Sequence, residues 1–127
     1  MPKAAYDTRY FVEYFYSKDE KILQQTKAER NRRERYVSAI VIHEIYRLAL
    51  TREGQEIANL RKTTIEQEFK TIPVDSEIAK ISAELRQKYK LSMGDSMIAA
   101  TATSLGATCI TDDPRFQPIK EIEKAWI

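Results

Sequence analysis

The stretch Met93-Gly94-Asp95-Ser96-Met97-Ile98-Ala99-Ala100-Thr101-Ala102-Thr103-Ser104-Leu105-Gly106-Ala107-Thr108-Cys109-Ile110-Thr111-Asp112-Asp113 decides the fold. From Met93 to Ser104 it is apolar almost all round, which predicts a helix buried in the protein rather than one lying on its surface. Gly106 stands at its C-terminal stop. Ala107–Thr111 then reads as a strand. Carboxylates bracket this apolar unit: Asp95 opens the helix, and Asp112 and Asp113 follow the strand. Ionised acids beside core-forming segments need compensation from something positive.

The same alternation extends outward. Ala4–Tyr6 is a short strand candidate, and Thr8 to about Tyr16 places Tyr10, Phe11, Tyr14 and Phe15 on one helical face. Lys18 to about Arg35 is charge-rich and reads as helix. Tyr36–Ser38 is a brief strand leading into a helix from Ala39 to about Arg52, which Gly54 breaks. A helix from Gln55 to Glu68 precedes a strand-like Lys70–Val74. Asp75 is an N-cap for a helix whose stripe is Ile78, Ile81 and Leu85. Lys124–Ile127 adds an edge strand. Short strands alternating with helices imply a parallel sheet covered on both faces, with ligands outside the carboxyl ends of the strands.

Four acids are placed to meet at that edge. Asp7 follows the first strand, Glu44 lies near the second turn of the helix after Ser38, Asp95 opens the buried helix, and Asp113 follows the last core strand. Each has a plainer explanation alone. Asp7 and Asp113 can be helix caps, Ser92-x-x-Asp95 can be a capping box, and Glu44 can be a solvated helix residue. Together they form a set of hard oxygen donors without paired His or Cys, the chemistry of a Mg²⁺ or Mn²⁺ site. Such a site suits hydrolysis of an anionic phosphodiester, since a hydroxide nucleophile is otherwise repelled.

The arrangement resembles the PIN-domain family of metal-dependent ribonucleases, particularly the VapC-type toxins, over nearly the whole chain. Asp7-Thr8 is similar to the family's opening Asp-Thr/Ser, and Glu44 to the acid after a Ser-containing strand end. Asp95 with Ile98-Ala99-Ala100-Thr101-Ala102 resembles its Asp-x-x-Ile-Ala-Ala-Thr-Ala helix. Thr111-x-Asp113-x-x-Phe116 resembles its Thr-x-Asp-x-x-Phe element. Two departures are Arg9, where Ser or Asn is common, and a first strand less apolar than usual. The tandem Asp112-Asp113 also blurs which acid is the ligand, and the register favours Asp113.

The resemblance implies a single α/β PIN-like domain over residues 1–127: three layers, with a short, mostly parallel central sheet and helices on both faces. It implies Asp7, Asp95 and Asp113 as metal ligands, and Glu44 as a further ligand or the base that positions water. Thr8, Arg9, Thr111 and Asp112 become candidates for contacting substrate or orienting the acids. It also implies an RNA substrate, a cognate antitoxin and a homodimer. An RNA-processing nuclease without antitoxin, a structure-selective DNA nuclease and a non-catalytic RNA- or protein-binding module are the alternatives.

Composition is compatible with this and adds bounds. At 127 residues, with 31% charged residues and three glycines, the chain suits one compact, helix-leaning domain. A net charge of +2 provides no global basic field for nucleic acid or membrane. The lone Cys109 reads as a buried small residue, and no apolar run reaches membrane-spanning length. With no signal-like start at Met1-Pro2-Lys3, the expected location is the cytoplasm. No glycine-rich phosphate loop is present. The densest basic run, Lys27, Arg30, Arg32, Arg33 and Arg35, is either a solvated helix face or an RNA-backbone contact. The crowded aromatics of the first helix read as core or interface. The single His43 reads as structural or solvent-facing.

Overall fold

The first strand candidate, less apolar than usual, is the centre of the sheet. In the computed structural model, which describes residues 1–127, β1 (Lys3–Tyr6) lies between β2 (Glu34–Ser38) and β4 (Thr108–Ile110). Ala4, Ala5 and Tyr6 are all buried. Buried on both faces, this strand needs no alternation, and its two alanines let neighbouring elements approach closely. The full order is β3-β2-β1-β4-β5, with β3 at Lys70–Ile72 and β5 at Lys124–Ala125, and every pairing is parallel.

Helices α1 (Thr8–Tyr16) and α2 (Glu20–Glu29) join β1 to β2. Helices α3 (Ala39–Glu53) and α4 (Gln55–Glu68) join β2 to β3. Helices α5 (Ser76–Tyr89) and α6 (Met93–Leu105) carry the chain back across β1 to β4. The strand order moves one way through β3 and then reverses. Right-handed crossovers therefore place α1–α4 on one face and α5–α6 on the other, giving three layers. The reversal at β1 opens a crevice at the carboxyl ends of β1, β2 and β4.

Local signals set most boundaries. The side chains of Ser38, Asp75 and Ser92 accept capping hydrogen bonds from Ile40, Ile78 and Asp95 N–H, respectively. Gly106 ends α6 in the left-handed conformation (φ 62°), where a side chain is costly. The α6 core positions Ile98, Ala99, Ala100 and Ala102 are buried, as is Cys109. Tyr6, Tyr10, Phe11 and Phe69 form a tilted and edge-to-face cluster with centroids 4.6–6.1 Å apart. Tyr10 also donates its hydroxyl hydrogen to the Thr26 carbonyl at 2.6 Å.

One expected element is corrected. The charged run does not continue as helix from Lys18 to Arg35: α2 ends at Glu29, a turn follows, and β2 begins at Glu34. Glu34 N–H donates to the Pro2 carbonyl, and Lys3 pairs with Glu34. Sheet pairing has overridden the helical preference of a polar segment, which had no apolar period to mark the change.

The basic run is also corrected. Arg30 bonds Glu68 and Tyr14, Arg33 pairs with the buried Glu29, and Arg35 donates to the Glu68 and Arg30 carbonyls. These arginines hold the turn and the start of β2 together. They stand at the amino end of the strands, opposite the acids, so they neither simply coat a helix nor face the candidate site.

Candidate active site

Asp7 leaves β1 at the carboxyl end and serves as the N-cap residue of α1, yet its side chain makes no capping hydrogen bond to that helix. Its backbone N–H bonds the Ile110 carbonyl at 3.0 Å, extending the β1–β4 pairing past the last strand residue. The carboxylate is 3% exposed and accepts a 2.7 Å hydrogen bond from the Thr111 hydroxyl. Burial pushes its pKa up to about 6, the charges of Asp95 and Asp113 push the same way, and the Thr111 bond opposes them. Asp7, Asp95 and Asp113 therefore feel one another across three separate segments.

Thr111 connects two of these acids. While donating to Asp7, its oxygen accepts the Asp113 backbone N–H at 3.0 Å. Asp113 then caps the short 3₁₀ turn Pro114–Phe116 through Arg115 N–H at 2.9 Å. The Arg115 guanidinium folds back onto Asp113 with a closest approach of 2.6 Å. The same group reaches to 3.6 Å from Asp95 Oδ2. That pairing holds Asp113 below its ordinary carboxylate range, whereas Asp7 and Asp95 are both raised.

Asp95 sits at N3 of α6, and Ser92 caps its backbone N–H at 3.2 Å. The capping box is half met: Ser92 caps Asp95, but the Asp95 side chain returns no hydrogen bond to the Ser92 backbone N–H. Asp95 Oδ2 is buried with no hydrogen-bond partner, and burial raises its pKa despite Arg115. A buried carboxylate oxygen left unbonded costs roughly 1–3 kcal/mol or more. It marks a position where positive charge is wanted.

Glu44 projects from the second turn of α3 toward the same edge. Thr8 Oγ1 donates to its Oε1 at 2.5 Å. Gly94, one residue before Asp95, lets α6 approach it: a Cβ there would stand 3.1 Å from Glu44 Oε2. The structure thus gathers Asp7, Glu44, Asp95 and Asp113 from four segments to one edge. As the side chains stand, no three His, Cys, Asp or Glu groups form a ready metal cage, because Arg115 binds one acid and reaches toward another while Glu44 is held by Thr8.

The remaining candidates separate cleanly. Thr8 and Thr111 orient acids. Arg9 makes two hydrogen bonds to Asp112, at 3.0 and 3.2 Å, and also pairs with Glu13. Asp112 consequently faces outward onto Arg9, while Asp113 turns toward the other acids. Sequence reasoning missed Arg115 and Gly94. Arg115 was legible only as a cation two residues from an acid, and Gly94 only as a glycine beside another.

Residues 5–122 match the PIN domain family, and the chain belongs to that family. Among solved structures, it is similar to a chain of the promoter-DNA-bound VapBC2 complex from Rickettsia felis, with 15% identity, a TM-score of 0.81 and 98% of each chain covered. A toxin–antitoxin complex from Klebsiella pneumoniae shares 25% identity at TM-score 0.74, covering 94% of this chain and 95% of that one. VapC20 of Mycobacterium tuberculosis, a sarcin–ricin-loop-cleaving toxin, superposes at TM-score 0.77 with 14% identity, covering 95% of this chain and 98% of that one. No curated protein sequence matches the chain. No helix is long and apolar enough to cross a membrane.

Proposed function

We propose that this protein is a divalent-metal-dependent ribonuclease and the toxin of a toxin–antitoxin pair, working as a homodimer that a cognate antitoxin restrains. The observation that carries the nuclease reading is the gathering of Asp7, Asp95 and Asp113 at one crevice with incomplete positive compensation. Family membership and the likeness to toxin–antitoxin chains support the biological role.

The donors suit Mg²⁺ or Mn²⁺: all are carboxylate oxygens, and neither His43 nor Cys109 belongs to the set. Asp7, Asp95 and Asp113 would hold the ion once Arg115 gives way. A bound divalent cation would supply Lewis-acid charge at the scissile phosphate and lower the pKa of water beside it. Glu44, oriented by Thr8, would position the attacking water and receive its proton. Thr111 keeps Asp7 aimed into the crevice, and Gly94 keeps the backbone of α6 clear of Glu44. In-line attack by water would leave 5′-phosphate and 3′-hydroxyl ends.

The direct test is incubation of defined RNAs with Mg²⁺, Mn²⁺ or EDTA, using wild type and Asp113→Asn. Cleavage is expected with either metal and absent in EDTA, and the substitution should reduce it at least 100-fold. Metal-stimulated cleavage that survives Asp113→Asn intact would remove this acid from the mechanism. Parallel DNA substrates distinguish the DNA-nuclease alternative.

A further inference from the structure

Of the ten arginines in the chain, Arg47 and Arg86 alone make no side-chain hydrogen bond, ion pair or cation–π contact. The others bind acids, carbonyls or aromatic rings. Both free arginines are exposed. They line two separate clefts that meet at one residue beside the acids.

The first cleft, of about 440 Å³, runs along α3 from Glu44 past His43 and Arg47, with Met93 and Gly94 on its other side. The spacing from Glu44 to Arg47 sets them on adjoining turns of one helical face, away from the core positions Val41, Ile45 and Ala49. The second cleft, of about 500 Å³, lies between α5 and α6 and contains Arg86 and Lys90 with no acid in its lining. Met93 lines both clefts and is 56% exposed. Asp95 lies two residues further along α6 and Glu44 lines the first cleft, so both clefts adjoin the acids.

Lys90 adds an independent observation. It ends α5 with φ 57° and is the only non-glycine residue with positive φ. Glycine is the usual occupant of a left-handed helix cap because it has no Cβ to strain. Here a long cation takes the strained position and faces a cleft.

We propose that these clefts form one track for single-stranded RNA across the amino end of α6. Arg47 contacts a backbone phosphate on one side of the acids, Arg86 and Lys90 contact the backbone on the other, and Met93 packs against a base between them. This deepens the ribonuclease reading and rests on it. The chemistry is complementary: unpaired guanidinium groups favour phosphate oxygens, while a polarizable thioether offers a base a sequence-tolerant apolar surface. The track also supplies the cationic surface that the arginines of the α2–β2 segment cannot supply from the opposite end of the sheet.

The test measures fluorescence-anisotropy binding of a 2′-O-methyl oligoribonucleotide in Mg²⁺ across a salt series. Arg47→Gln and Arg86→Gln should each weaken binding about 5-fold or more. Each should also flatten the slope of log affinity against log salt by roughly 0.7. With cleavable RNA the loss should appear in KM rather than kcat. Arg32→Gln, at the opposite end of the sheet, should bind as wild type. Lys90→Gly should raise the unfolding midpoint while weakening binding, a pairing that a purely structural lysine would not give. An Arg47→Gln/Arg86→Gln double variant with unchanged affinity and salt slope overturns the track. So does a double variant that keeps RNA affinity but loses self-association in sedimentation, which would assign the surface to a second copy. Wild type that neither binds nor cleaves RNA overturns the ribonuclease reading itself, a result distinct from equal binding by wild type and variant.

Discussion

Glu29 and Asp7 are both buried acids, at 1% and 3% exposure, yet they are treated differently at opposite ends of the sheet. Glu29 closes α2 beneath Arg33, which pairs with Oε1, while Oε2 makes no hydrogen bond and lies 3.7 Å from Arg32 Nη1. Asp7 has one hydroxyl donor, Thr111, and two further acids acting on it. A charge buried for structure is compensated by the chain itself. A charge buried without a cationic partner costs stability, and its retention calls for a cation from outside. Arg115 marks the boundary between the two cases. It compensates Asp113 while remaining 66% exposed and free to leave.

The largest expected effect tests the structural end. Glu29→Gln should destabilise the fold by about 3–5 kcal/mol in chemical denaturation, because it breaks the ion pair between a buried acid and the half-buried Arg33. Cleavage per folded molecule should remain near wild type. If the variant unfolds like wild type, the contrast between the two ends is wrong.

Asp7→Asn should act in the opposite direction. The folded pKa of about 6 lies above the ordinary 3.8, so between those values the folded protein holds more protons than the unfolded chain. Stability contributed by this site is therefore greatest below pH 4, falls as pH rises to about 6, and stays flat above that. Removing the charge should raise stability at pH 7 by up to about 3 kcal/mol and erase that part of the slope. Cleavage should be lost at the same time. A less stable Asp7→Asn protein at pH 7 would place the cost of Asp7 elsewhere.

Arg115→Gln sharpens the comparison at its boundary. Without the guanidinium, Mn²⁺ binding measured by calorimetry should tighten several-fold, since the ion no longer competes for Asp95 and Asp113. Equal affinity in the two proteins would mean that Arg115 and the ion do not share these acids. Gly94→Ala should have the smallest effect on folding, within about 1 kcal/mol, because alanine is the better helix former. The new methyl group would crowd Glu44 Oε2 while Thr8 holds Oε1. A drop in cleavage of roughly tenfold is expected, as for other small misplacements of reacting groups.

Much of this organisation was legible before folding. Met93–Ile110 declared its buried helix and strand through continuous apolar character, and Ser38, Asp75, Ser92 and Gly106 marked helix ends through local backbone chemistry. The error at Lys18–Arg35 is equally informative. A polar strand has no periodicity of its own, and β2 starts at Glu34 only because Pro2 and Lys3 lie alongside it. Arg9 and Asp112 were readable as site candidates, yet their mutual pairing joins positions 103 residues apart.

The sequence by itself determined the alternating strands and helices, the order of the acids and the family pattern they carry. These depend on neighbouring residues, through apolar period, capping and turn chemistry. Only the tertiary structure decided which charges are compensated across the chain: Asp112 for Arg9, Glu68 for Arg30, a lone hydroxyl for Asp7, and no partner for Arg47 or Arg86. Coulomb and desolvation energies depend on distance and burial in space, and chain position alone fixes neither.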